Sequence, residues 1–89
     1  MPELSRFYGI VIRMFDERGA RHHRPHFHAA YGGHEAVFSI DTLDLIRGTL
    51  LRPQRRLVEA WGELHRAELV EDWRRLRAGE RVRRIAPLR

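Results

Sequence analysis

Two alternating stretches, HFHAAY and EAVFSID, flank the dipeptide Gly32-Gly33. No other feature restricts the fold as much. A two-residue glycine link between period-two segments turns the chain back antiparallel to itself, because glycine tolerates the positive φ that so tight a turn requires. In the first stretch His26, His28 and Ala30 face one side, and Phe27, Ala29 and Tyr31 the other. In the second, Ala36, Phe38 and Ile40 oppose Val37, Ser39 and Asp41. GIVIRMF, from Gly9 to Phe15, alternates in the same way, with Ile10, Ile12 and Met14 against Val11, Arg13 and Phe15. The pattern predicts a three-stranded meander. TLDLIRGTLLRP, punctuated by Gly48 and Pro53, adds a turn or a fourth edge strand around Leu43–Leu51.

Pro53 suits the first turn of a helix, where its missing N–H costs nothing. Leu57, Trp61 and Leu64 follow helical spacing, and so do Leu69, Trp73 and Leu76, but the stripe rotates by one position between Leu64 and Leu69. The helix is expected to kink there or wrap around the sheet. Its like-charged pairs, Glu59–Glu63 and Glu68–Asp72, have Arg55, Arg56, Arg66 and Arg75 nearby to neutralise them. Gly79 is the expected C-terminal stop. Beyond it, ERVRRIAPLR reads as a last strand or an extended arm that tucks Ile85 and Leu88 onto the domain. The expected fold is α+β in one domain, 1–89. An antiparallel three- to four-stranded meander (7–51) packs against one long C-terminal helix (53–78), followed by a short extended segment (80–89). Phe27, Ala29 and Tyr31 make the better core face, so the helix is expected on them, with His26 and His28 open to solvent or at the sheet's rim.

With 89 residues the chain is long enough for one small core. It has no cysteine, which excludes disulfides and thiolate metal sites. The opening MPELSRFYGIVIRMF carries Glu3, Arg6 and Arg13, and its apolar run is too short to span a bilayer. A cytoplasmic location without membrane contact is the expectation. The net charge is +5, from 17 basic residues, all of them arginine, against 12 acidic ones. Arginine's planar fork suits phosphate recognition. A GC-rich or heat-adapted genome accounts for arginine-only usage without any such role, since bulk charge speaks to partners and not to fold.

Five of the six histidines lie within residues 22–34. His-x-His on a strand points both imidazoles to one side, roughly 7 Å apart. Three uses of that geometry compete. The first is metal binding, completed by His65 and Glu68, which lie one helical turn apart. Without cysteine or a His-Glu-x-x-His signature, His26, His28 and His65 are weak candidates, and no metal or other cofactor is expected. The second is acid–base catalysis on an RNA phosphodiester. His26 and His28 would exchange protons, Arg13 would stabilise the developing charge and Tyr31 would donate a hydrogen bond. Arg6 and Arg24 are further binding positions, and His65 with Glu68 would fix an imidazole tautomer. The third use is bland: a histidine-rich face that docks a partner or is simply solvated. His22, His23 and His34 fall in loops and read as solvated. Trp61 and Trp73 suit base stacking, but their helical spacing favours the core. Arg81, Arg83, Arg84 and Arg89 either track a phosphate backbone or form a soluble tail.

Taken together, ELSRFYGIVIRMF, PHFHAAYGGHEAVFSID, GTLLRP, AWGELHRAELVEDW and IAPL resemble a bacterial family of small stand-alone proteins classed as domain of unknown function DUF4160. The resemblance runs over nearly the whole chain. Its most specific pieces are the Pro-His-Phe-His strand, the Trp…His…Glu-Leu…Trp helix and the Ile-x-Pro-Leu end. It implies a small α+β protein without an assigned activity, encoded beside another small protein in a two-gene, toxin–antitoxin-like module. Residue by residue it directs attention to Arg13, His26, His28, Tyr31, His65 and Glu68. Many relatives have Asn-Pro-Pro where this chain has His23-Arg24-Pro25. The resulting expectation is an RNA-binding, metal-independent endoribonuclease. One alternative is a non-catalytic binding or regulatory module that docks a co-encoded protein partner, for instance by strand addition. The other is a metal-dependent hydrolase using His26, His28, His65 and Glu68.

Overall fold

The computed structural model describes residues 2–15 and 24–89. Five strands come first: β1 Glu3–Phe7, β2 Ile10–Arg13, β3 His26–Tyr31, β4 His34–Ser39 and β5 Leu45–Gly48. Two helices follow, α1 Arg52–Leu64 and α2 Arg66–Arg77. The strands form one antiparallel sheet in chain order. The class is α+β, as expected, but the sheet has five strands rather than three or four, and the single helix is two.

The additional strand is β1. It lies before residue 7, where the sheet was expected to start. Its period is hidden by a bulge between Glu3 and Ser5, which leaves the neighbours Leu4 and Ser5 both fully buried. The β1–β2 turn is closed by Tyr8 and Gly9, both at positive φ (49° and 78°). Tyrosine is a rare choice for such a turn, so the sequence carries no strong hairpin mark there. The edge strand expected within Leu43–Leu51 is β5. Gly48 ends it at φ 80°, and a Cβ there would sit 2.1 Å from the Glu35 carbonyl oxygen.

Helix α1 covers the Phe27 face, as expected. The Trp61 ring lies 5.5 Å from Phe7 and 5.8 Å from Phe27. Phe27 in turn stacks on Phe38 at 5.6 Å. Gly62 lets the helix approach Leu43, whose Cδ2 would be 2.7 Å from an added Cβ. The buried residues of α1 are Val58, Trp61 and Gly62. Leu64, placed on the apolar stripe by spacing, is instead 71% exposed. The reason is the break that follows it. His65, at φ −116° and ψ 22°, ends α1 and begins α2, which is where the stripe rotates. Leu69 and Asp72 are then the buried residues of α2. Gly79 follows the cap residue Ala78. Its N–H donates to the Leu76 carbonyl at 3.2 Å and that of Glu80 to Arg75 at 2.8 Å, the paired bonds of a glycine-terminated helix.

Residues 80–89 form an arm without regular secondary structure. The Ile85 N–H donates to the Leu4 carbonyl at 2.8 Å. The Arg83 N–H donates to Asp72 Oδ1 at 2.9 Å. The Trp61 indole N–H donates to the Ala86 carbonyl at 2.9 Å. Ile85 is buried and Leu88 is packed against the core. Among the described residues no helix is long and apolar enough to cross a membrane.

Gly48 and Gly33 offer a paired test of the β4–β5 connection. Gly48→Ala meets both a positive φ and backbone atoms, whereas an added Cβ at Gly33 meets nothing within 4 Å. Thermal unfolding should place Gly48→Ala at least about 4 °C below the parent, equivalent to about 1 kcal/mol or more, and Gly33→Ala close to it. Equal melting temperatures would contradict the β4–β5 packing described.

Candidate functional site

His26 and His28 stand on the central strand β3, on the face opposite α1. Their ring centroids are 5.5 Å apart, so the strand does bring the two imidazoles together. They are not open to solvent, contrary to expectation: His26 is 7% exposed and His28 6%. Phe15, just beyond β2, sets its ring edge-on to His28 at 4.4 Å and 88°. Trp73 of α2 reaches His26 at 5.1 Å. The break at His65 makes this possible, because it sends α2 past the end of the sheet, where Arg66 Nε donates to the Ile40 carbonyl at 3.2 Å.

Hydrogen bonding orients both rings. His26 Nδ1 lies 2.8 Å from the Arg24 carbonyl oxygen. A carbonyl only accepts, so Nδ1 carries the proton and donates. His28 Nδ1 faces Glu35 Oε1 at the longer distance of 3.4 Å. His34, read as a loop residue, opens β4 opposite Tyr31 and is exposed. His22 and His23 lie outside the described residues.

Strand register places charge beside these rings. Arg13 pairs with His28, His28 with Val37, and Val37 with Arg47. Directly opposed residues share a face, so Arg13, His28, Val37 and Arg47 form a row across four strands on the side away from α1. Arg47 is absent from the sequence-derived candidates. Its signal lay in the placement of β5 next to β4, which periodicity alone does not give. Arg6 and Arg84 both grip Glu3, each at 2.8 Å. These hydrogen bonds, from Arg6 and then Arg84, hold the Glu3 carboxyl well below its ordinary 4.5, at about 2. The same partner raises the pKa of Arg6. Arg24 is exposed and reaches Thr42 Oγ1 only at 3.4 Å.

Other candidates are placed elsewhere. Tyr31 lies at the far end of β3 on the Phe27 face, over Gly9, whose added Cβ would meet its ring at 3.2 Å. His65 and Glu68 bond each other, Nδ1 to Oε1 at 2.6 Å, and the His65 ring lies against Trp61 at 5.7 Å. Trp61 is core, as its spacing suggests; Trp73 is half-buried against His26. Among the described residues no three His, Asp or Glu side chains are grouped to hold a metal ion. The arrangement therefore offers oriented rings and flanking guanidiniums.

The model of the family described as Domain of unknown function (DUF4160) matches residues 9–74. No curated protein and no solved structure shows a significant match to the chain.

Two measurements check this geometry. Replacing Arg84 by glutamine should raise the Glu3 pKa from about 2 toward 4.5, read from carboxyl carbon shifts by NMR. The sign follows from a depressed folded value: the link is fully in place above the unfolded pKa and is lost only as pH falls through about 2. An unchanged titration would show that Arg84 does not hold this carboxylate. His26→Ala leaves the Arg24 carbonyl without its donor and Trp73 without its ring partner, so chemical denaturation should register a loss of about 2 kcal/mol. A variant as stable as the parent would remove the structural role given to that ring.

Proposed function

The chain belongs to the family described as domain of unknown function (DUF4160), and within it we propose an RNA-binding protein that holds its ligand without cutting it. The observation that carries this reading is the cross-sheet row Arg13–His28–Val37–Arg47. Arg13 and Arg47 stand at the two ends of this row, whose middle residues His28 and Val37 are buried, with the half-buried Phe15 ring beside it. Arginine supplies charge to phosphates, and ring surfaces such as Phe15 accept unstacked bases. The net charge of +5 supports the same partner.

Burial argues for binding over cleavage. A general acid or base needs its proton within about 3 Å of the reacting atom. The two imidazoles are packed under Phe15 and Trp73. Metal-independent cleavage is the second reading, favoured by the Arg24 carbonyl, which fixes one ring as the Nδ1–H tautomer. In a two-gene, toxin–antitoxin-like module the chain would also meet a co-encoded protein. β5 offers an edge for it: it is the last strand of the sheet, with Ile46 44% exposed, and strand addition needs such an edge.

Fluorescence anisotropy with labelled single-stranded RNA separates these readings. Binding should be saturable and salt-dependent. Arg13→Gln and Arg47→Gln should each lower the log–log salt slope by roughly 0.7, and the RNA should stay intact on a gel with or without chelator. Cleavage that survives chelator and disappears in His26→Ala or His28→Ala would replace binding with catalysis. Absence of saturable RNA binding, with β5 amides protected from exchange by the co-encoded protein, would give the site to the protein partner.

A further inference from the structure

On the helix side of the molecule, away from the histidine face, Leu50, Arg52, Arg55, Arg56 and Glu59 line a cleft of about 440 Å³. Spacing alone suggests that Arg55 and Arg56 neutralise acidic residues of their own helix. The structure bears this out for Arg55 but not for Arg56. Arg55 Nε bonds Glu59 Oε2 at 3.3 Å, a contact that uses one edge of the guanidinium. The side chains of Arg52 and Arg56 make no hydrogen bond or ion pair with any described residue. Three guanidiniums against one carboxylate leave two positive charges around a concave space.

We infer that this cleft binds a phosphate monoester carried on an apolar body, the chemistry of a nucleoside monophosphate or of the phosphorylated end of an RNA chain. Charge selects the head group. A monoester is a dianion above its second pKa of about 6, matching the two positive charges, whereas a carboxylate or a phosphodiester brings only one negative charge. Guanidinium forks suit such a head group because they take phosphate oxygens in pairs. Volume selects the rest of the ligand. The space lies within the range of small-molecule sites, about 300–1,000 Å³, and a bare phosphate leaves most of it empty. Leu50 provides an apolar wall for a sugar or base. The site uses none of the residues of the sheet face, so it stands or falls independently of the RNA-binding reading.

The test follows the arginine Nε–H signals of Arg52, Arg55 and Arg56 and the Leu50 methyls by NMR. The protein is titrated with adenosine monophosphate, inorganic phosphate and adenosine. Saturable shifts are expected with the monophosphate, weaker ones with phosphate and none with adenosine. The affinity should fall as pH drops below about 6. The double variant Arg52→Gln/Arg56→Gln should lose affinity by at least about tenfold at an unchanged melting temperature, while Arg81→Gln keeps it. Short RNAs with a 5′-phosphate or a 5′-hydroxyl then identify the source. If the phosphorylated chain moves the same signals and the hydroxyl chain does not, an RNA end is the ligand. If only the mononucleotide moves them, the ligand is a free nucleotide. Adenosine acting like the monophosphate, shifts that do not saturate, or a double variant with parental affinity would each overturn the inference.

Discussion

From inside the core, the Trp61 indole N–H donates to the carbonyl of Ala86 at 2.9 Å. A buried indole needs that partner, because an unsatisfied donor carries a penalty of about 1–3 kcal/mol. The bond ties the arm to α1, and the ring beneath it touches Phe7 of β1 and Phe27 of β3. One side chain thus joins both helix and arm to the two halves of the meander. The rest follows in order. Fixing Trp61 on Phe27 makes that face the core. Strand alternation then sends His26 and His28 to the other side. The turn at His65 carries Trp73 around to meet His26.

What could be read from the residues depended on how local the cause was. β3, the glycine turn and the faces of β4 are strictly periodic; the bounds of β3 were legible, whereas β4 runs His34–Ser39 rather than Glu35–Asp41. The helix break was legible as a rotated stripe. β1 was not, because its bulge puts Leu4 and Ser5 both inside, and because a tyrosine occupies a turn position where glycine or asparagine would have marked it. Burial of the imidazoles was not legible either. It depends on Trp73, 47 positions beyond His26 in the chain, and no pattern within β3 announces that contact. Arg13 beside His28 needed only strand order, whereas Arg47 needed the register of a four-residue edge strand.

The two sides of the sheet distribute polar groups by a common rule. Imidazoles taken out of water require partners, and the Arg24 carbonyl supplies one for His26. Arg47 of the row and Arg52, Arg55 and Arg56 of the cleft are exposed. Histidines therefore contribute to how the sheet is closed, and arginines to what the closed sheet meets. A chain whose cations are all arginine presents planar forks at every such position, and exchange for lysine would not preserve that chemistry.

The arm reaches three separate groups within four residues: the Asp72 carboxylate through Arg83, the Leu4 carbonyl through Ile85, and the Trp61 indole through Ala86. β1 precedes this segment in the sequence, yet the Leu4 carbonyl gains its partner only when the segment arrives. Until then the nascent chain carries an unpaired Leu4 carbonyl and an unmatched indole, and Asp72 has only its Arg75 partner. Detaching the segment from the finished protein would expose all three together. The segment thus acts as a latch, and a protease or partner that lifted residues 83–86 would release contacts to β1, α1 and α2 in a single event.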